Sequence, residues 1–533
     1  MTDSAPAASW MHSTLQQGLN FLNAGKYEQA TECASRVLGA KPDLTDAHFL
    51  IGLISLQSNQ QWPALQAFSK VVQLDPLSSD AWSQMANIYM AIDQPVNAGK
   101  ALEKAIEHNN DSANVQHLIA QALASLGEYQ KALPWFEKAS KQLPGDINFR
   151  TNHANCQIYL GNVDEAQMLL NAVLRLQPAY PNAHWLLSGL SKSTDREHVD
   201  TMEKLISLGR YAPHDLAFMH YACGKELEDL EAWDDAIEAF SAGARSQRKT
   251  IDYDEAAEIE MYEVLERTFT PEWLASGPGG HEDASPIFVV GQPRTGTTLV
   301  ERILSAHSQV QSAGELRHFA TSVRRLTGHQ GPNRFSAELV ARAASIDPEA
   351  LGKAYIKAVG HLETPHFVDK LPSNFLLMPL ILKALPNAKI VHLRRNPMDA
   401  CFSSFKQLFA DAYPHSYDQE EMARHHARYY RLMSVWRKRF GKQYHELAYE
   451  EVASRLELNA RALIEYLALP WEDACLNFQQ QKSAVATASA VQVRQPVHTR
   501  SIGRWRKYDR HLQPMLDTLT AHNVPVDQYK IRH

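Results

Sequence analysis

The sequence predicts two folds in one chain, an α-solenoid of helical repeats followed by a parallel-sheet α/β domain built around an anion-binding turn. Three observations carry that expectation. Alanine recurs at a fixed interval through the first third of the chain, at Ala30, Ala64, Ala98, Ala132 and Ala166. The sign of the net charge reverses near residue 286. A short β-branched run at that point enters a glycine turn and then a helical apolar pattern.

The alanine interval is 34 residues, and Pro42, Pro76, Pro144 and Pro178 keep the same phase, with Asn110 standing in once. Gly25, Gly127 and Gly161 mark a third register, two residues before Tyr27, Tyr129 and Val163. A small residue lets two helices approach closely, and proline ends the second helix of each pair. The period and its helix–turn–helix unit resemble the tetratricopeptide repeat. After Pro178 the phase falters. It returns over Glu226–Ala244, with Trp233 and Ala236 two residues out of register. The expectation is about seven units over residues 10–266, the sixth degenerate, then a linker over 267–285 rich in Pro, Gly and polar residues. Such arrays stack into a superhelix whose concave face takes peptides or proteins, or whose surface holds a homo-oligomer together. Both uses stay open.

Composition bounds the rest. The 533 residues are 44% hydrophobic and 21% charged, an ordinary globular balance for two to four domains. No apolar run has the length of a membrane-spanning helix. Met1-Thr2-Asp3-Ser4 does not read as the start of a secretory signal. Five scattered cysteines without a C-x-x-C pair argue against a disulfide framework and against a zinc site. The expectation is a cytoplasmic protein without a bound metal. Residues 1–285 hold 20 Lys+Arg against 38 Asp+Glu, and residues 286–533 hold 33 against 22. The basic half suits an anionic ligand. The basic tract Arg494–Arg510 is too short, in a chain of net charge −7, to favour nucleic acid.

Pro286–Gly291 reads as a buried strand, and Gln292-Pro293-Arg294-Thr295-Gly296-Thr297-Thr298 as the turn into a helix carrying Leu299, Ile303 and Leu304. Gly291 and Gly296 have the spacing of a P-loop, but Thr297 stands where its lysine belongs. Without that lysine a kinase or nucleoside triphosphatase is poorly supported. Arg294 inside the turn, with the hydroxyls of Thr297 and Thr298, suits a 5′-phosphate instead.

At Arg294-Thr295-Gly296-Thr297-Thr298 the chain resembles the 5′-phosphosulfate loop of sulfotransferases, nearest to the tyrosylprotein branch. The resemblance continues through Ala306-His307, Gly314-Glu315-Leu316-Arg317 and Phe367-Val368-Asp369-Lys370. It then covers Arg395-Asn396-Pro397-Met398-Asp399 with Ser403, the tract Leu447–Val452, and Ser501-Ile502-Gly503-Arg504-Trp505. It implies a sulfotransferase domain over 286–533 that takes 3′-phosphoadenosine 5′-phosphosulfate (PAPS). By that resemblance Arg294, Thr295, Gly296, Thr297 and Thr298 hold the 5′ end, while Arg395, Ser403 and Arg504 hold the 3′-phosphate. Glu315 is the general base, Lys370 supports the leaving oxygen, and Ser489 helps stabilise the transition state. His307 lies on the loop helix as a structural residue. The branch tends to carry a second acidic residue where Gly314 stands, which leaves the acceptor undecided between a protein or peptide hydroxyl, such as tyrosine, and a small molecule or glycan. A non-catalytic repeat scaffold is the reading from another class, and the intact polar set counts against it.

Overall fold

The computed structural model describes residues 4–331, 335–360, 362–481, 483–487 and 489–526. The chain forms two compact units, Met1–Cys156 and Gln157–His533.

The first unit consists of antiparallel helices, among them Tyr27–Ala40, Thr45–Gln57, Gln61–Leu74, Ser79–Ala91, Pro95–Glu107, Ala113–Ser125 and Tyr129–Gln142. Ala30, Ala64, Ala98 and Ala132 are fully buried, as close helix contact requires. The turn within each pair needs a left-handed residue. Gly25, Asn59, Asp93 and Gly127 supply it at φ 70°, 57°, 59° and 83°, again 34 positions apart. Asn and Asp tolerate this conformation better than other side chains, which explains why glycine is absent from two of the four turns.

The second unit opens with further helices, including Val163–Leu176, Pro213–Asp229, Trp233–Arg248 and Glu255–Thr268, and continues into a five-stranded sheet. Its strands are β1 (Pro286–Gly291), β2 (Val310–Ser312), β3 (His366–Asp369), β4 (Lys389–Arg394) and β5 (His445–Ala448). All pairings are parallel, in the order β2-β3-β1-β4-β5. The solenoid followed by a parallel α/β sheet is therefore the observed fold class. β1 is buried on both faces, as a central parallel strand must be. Ile287 and Val289 face Leu299, Ile303 and Leu304 of the helix Thr297–Ser305. Phe288 and Val290 face the opposite layer, with Phe319, Tyr355 and Trp436.

That second layer also contains Met261, Tyr262, Val264 and Leu265, so the helix Glu255–Thr268 packs into the core of the sheet. The helices Pro213–Asp229 and Trp233–Arg248 share another core with Phe402, Phe405, Trp505 and Tyr508. The packing unit thus begins at residue 157, well ahead of the sheet, and the stretch read as a linker carries a short helix, Pro271–Ala275. None of the described helices is long and apolar enough to cross a membrane.

Candidate active site

Strands β3, β1 and β4 are neighbours, and each ends in a basic side chain at its C-terminal edge. Lys370 follows β3, Arg294 lies in the turn after β1, and Arg395 follows β4. In open parallel sheets this edge is where ligands bind.

The turn after β1 is held open by its own backbone. Gly296 has φ 95°, and a Cβ there would meet Tyr449 Cδ2 at 2.6 Å, so only glycine fits. Arg294 itself is left-handed at φ 66°, a conformation that costs a non-glycine residue on the order of 1 kcal/mol. Thr295 Oγ1 donates to the Gln292 carbonyl at 2.7 Å, closing the turn from inside. Gln292 in turn is bonded to the buried His426. Thr297 and Thr298 are buried in the first turn of the helix Thr297–Ser305, where backbone N–H groups have no intrahelical acceptor. A phosphate group is a natural partner for that cradle.

Arg395 donates to the Arg294 carbonyl at 2.8 Å and to the Ser501 carbonyl at 2.7 Å. Its guanidinium lies 4.7 Å from the centre of the Tyr449 ring, whose hydroxyl is 2.6 Å from Ser501 Oγ. Among the described residues its buried Nε has no hydrogen-bond partner. The neighbouring Arg394 points elsewhere and pairs with Glu446 at 3.2 Å. Arg294 donates to Ser489 Oγ at 2.9 Å and to Gln492 Oε1 at 3.3 Å. Burial, and then the charge of Arg395, pull the Arg294 guanidinium down to about 10. Two guanidinium groups this close make the turn strongly attractive to anions.

Lys370 is 1% exposed and has two carboxylate neighbours. It donates a short bond to the half-exposed Glu315, and the buried Glu301 lies 3.9 Å away. The backbone N–H of Lys370 bonds to the Gly314 carbonyl at 2.8 Å, fixing the Glu315 loop against the end of β3. Burial raises the Glu301 carboxyl, against the opposing pull of Lys370 and Ser312. Asp369, one residue before the lysine, is raised to about 8, chiefly by burial. It accepts from the Tyr355 hydroxyl at 2.9 Å.

Residues 286–473 match the family described as the sulfotransferase family. This chain carries a sulfotransferase domain. Residues 15–82 and 64–122 match the tetratricopeptide repeat, and residues 96–173 match subunit 3 of the anaphase-promoting complex. An uncharacterized protein of Aquifex aeolicus is 30% identical over 432 residues, 79% of this chain and 56% of that protein. Protein-tyrosine sulfotransferase 1 of Danio rerio is 22% identical over 246 residues, covering 42% of this chain and 66% of that protein. The protein-tyrosine sulfotransferase of Drosophila melanogaster is 26% identical over 235 residues, covering 41% and 46%. The chain thus spans about half to two thirds of the length of these relatives. Among solved structures, YrrB, a TPR protein with an unusual peptide-binding site, superposes at TM-score 0.28 with 18% identity over 38% of this chain and 98% of its own.

The sulfotransferase domain brings most of the expected residues to one edge but not all. Arg294, Thr295, Gly296, Thr297, Thr298, Arg395 and Ser489 meet at the turn after β1, while Glu315 and Lys370 meet at the end of β3. Ser403 is half-buried on the helix Pro397–Phe405. Arg504 is engaged elsewhere, donating to Glu228 at 3.0 Å beside Lys406 and Tyr508. Asp399 ties its segment down, accepting from the backbone of Gly503 at 2.6 Å and of Trp505 at 3.3 Å. His307 is buried, with Nε2 2.8 Å from the Pro470 carbonyl. Glu301 is a residue that sequence reasoning passed over, and Tyr449, quoted there only as part of the tract Leu447–Val452, was given no role. In the sequence Glu301 is an acid set among Leu299, Val300, Ile303 and Leu304, a pattern that does not say which way it faces.

A separate cluster offers metal-type ligands, since atoms of Glu258, His415 and His425 lie within 4.8 Å of one another. Glu258 already bonds to His425 and Tyr253, with Arg428 at 3.4 Å. The two imidazoles stack at 3.4 Å and 10°, so their lone pairs run in parallel planes rather than converging on one ion. The cluster reads as a charge network that locks the helix Glu255–Thr268 to Gln419–Phe440.

Proposed function

We propose that the sulfotransferase domain transfers a sulfuryl group from PAPS to a hydroxyl on a protein or peptide, tyrosine among the candidates, recruited by the repeat array. The observation that carries this reading is the set of three basic side chains on adjacent strand ends, in two separated groups. Arg294 and Arg395 form a double-guanidinium site for phosphate, and Lys370 with Glu315 forms a proton-transfer pair beside it.

In this reading Arg294 and the N–H groups of residues 295–298 hold the 5′ end of the donor, and Arg395 with Ser403 holds the 3′-phosphate. The Nε of Arg395, still open to an acceptor, supports an anion there. Glu315 removes the proton from the acceptor hydroxyl, whose oxygen attacks sulfur. The bond from sulfur to the bridging oxygen breaks, and Lys370 and Ser489 meet the negative charge that collects on the departing 3′,5′-bisphosphate. The Lys370–Glu315 bond must open for this, so donor and acceptor compete with an internal partner for both groups. No residue of the set needs a metal to do this chemistry.

Calorimetry with adenosine 3′,5′-bisphosphate and adenosine 5′-monophosphate, with chelator present, tests the donor assignment. The bisphosphate is expected to bind more tightly, with the advantage lost in Arg395→Ala. Equal affinity for the two nucleotides would remove the 3′-phosphate site.

A further inference from the structure

Glu301 lies on the helix Thr297–Ser305, one turn beyond the threonines of the phosphate cradle, and is 5% exposed. An isolated carboxylate in such a place is costly, so its partners define its purpose. It meets Ser312 Oγ at 2.5 Å and the ammonium of Lys370 at 3.9 Å. Ser312 Oγ also accepts from the Gly314 N–H at 3.1 Å. Gly314 in turn accepts from the Lys370 N–H. A closed circuit of bonds thus links the phosphate-loop helix, the loop bearing Glu315 and the end of β3, with the lysine ammonium inside it.

The two carboxylates facing that ammonium differ in kind. Glu315 is half-exposed on a loop, whereas Glu301 is fixed in a helix and tied to Ser312. The reaction requires Glu315 to leave the lysine for the acceptor hydroxyl. A lysine with only that partner would be left as a buried, uncompensated charge or would follow the carboxylate outward.

We propose that Glu301 is a positioning residue for Lys370, the fixed counter-charge that keeps the ammonium aimed at the phosphate turn when Glu315 is released. The inference rests on the sulfotransferase reading of the site for its catalytic consequence, but not for its structural one. Glu301 touches neither donor nor acceptor; it acts through the lysine.

The test compares full-length wild type with Glu301→Gln, which keeps the shape and the bond to Ser312 but removes the charge, and with Glu301→Asp and Ser312→Ala. Two readouts are taken. Turnover in Glu301→Gln is expected to fall on the order of 10²-fold, the effect of misplacing a reacting group, with donor KM and adenosine 3′,5′-bisphosphate affinity within about threefold of wild type. Glu301→Asp, which retains the charge, is expected to recover part of the loss, and Ser312→Ala to show a smaller defect in the same direction. Independently of turnover, acetylation of Lys370 by a water-soluble acylating reagent, followed by peptide mass spectrometry, is expected to be about tenfold faster in Glu301→Gln, at equal thermal stability. Unchanged labelling of Lys370 would overturn the assignment, as would parallel loss of turnover, bisphosphate affinity and melting temperature. A wild-type protein that transfers no sulfuryl group would instead overturn the sulfotransferase reading, and the labelling comparison would still decide the hold of Glu301 on Lys370.

Discussion

Asp369 is fully buried one residue before the candidate lysine, and its replacement by asparagine has a signed consequence for stability. Burial raises its carboxyl from 3.8 to about 8, with the nearby Glu315 adding and Tyr355, the Leu316 backbone and Lys370 opposing. In the folded protein it keeps its proton between those limits, whereas the unfolded chain releases it. Folding stability therefore declines as pH rises from about 4 to about 8 and levels off beyond. About four units at 1.36 kcal/mol each give a pH-dependent contribution on the order of 5 kcal/mol. The amide of Asp369→Asn would keep an acceptor for the Tyr355 hydroxyl, 2.9 Å away in the native protein, and would not titrate. Whatever fixed packing cost the substitution carries, the stability difference between Asp369→Asn and wild type should swing towards the variant across this window. Hydrogen exchange of the peptide containing β3, followed in increasing urea at pH 5, 6, 7 and 8, measures it. Parallel pH dependence in the two proteins would refute the protonated aspartic acid.

Glu315→Gln should retain bisphosphate affinity by calorimetry while turnover drops by roughly 10²–10⁴, the usual worth of a general base; weakened binding with intact turnover would make Glu315 structural. Burial alone would raise Glu228, but Lys406 and Arg504 outweigh it and hold the carboxyl at about 2. This contributes about 3 kcal/mol that is present above pH 4.5 and lost as pH falls towards 2. Wild type should accordingly lose stability steeply as pH falls from 4.5 towards 2, and Glu228→Gln, measured by thermal melting, should be destabilised at pH 7 and lose that acid dependence. A chain starting at residue 147 should fold and bind the bisphosphate, whereas one starting at residue 269 should not. The shorter one strips Met261, Tyr262, Val264 and Leu265 from the sheet core, at roughly 1.5–3 kcal/mol per side chain against a typical total of 5–15. If the array delivers a protein acceptor, the chain from residue 147 should lose turnover on that acceptor but keep it on a small phenol, through lost effective concentration.

Local chemistry was legible in the sequence, and long-range closure was not. The 34-residue period exposed the helix pairs, and the turn residue every 34 positions was visible wherever it was glycine. Where Asn59 and Asp93 take that role, the left-handed backbone shows only in the structure. The turn after β1 was readable because strand, turn and helix are contiguous, and the place of Lys370 because a lysine ends an apolar strand. The partners were hidden because they come from far along the chain. Ser489 and Gln492 reach Arg294 across nearly 200 residues, and Glu228 captures Arg504 across 276. Glu301 was passed over for another reason. On a helix with apolar residues on both sides, an acid gives no sign whether it faces water or a buried ammonium. The helix Glu255–Thr268 falls almost wholly within the bounds the sequence assigns to the repeats, and its contacts with the layer of Phe288 and Trp436 attach it to the sheet.

In the proposed reaction the basic strand ends form a PAPS-dependent sulfuryl-transfer site. Incubating the full-length chain with PAPS labelled by ³⁵S, a mixed set of peptide, protein and phenol acceptors and a chelator tests it most directly. Label is expected on a hydroxyl acceptor, with stoichiometric release of adenosine 3′,5′-bisphosphate and loss of both in Glu315→Gln and Lys370→Ala. Absence of transfer to every acceptor, together with no measurable affinity for the bisphosphate, would contradict it.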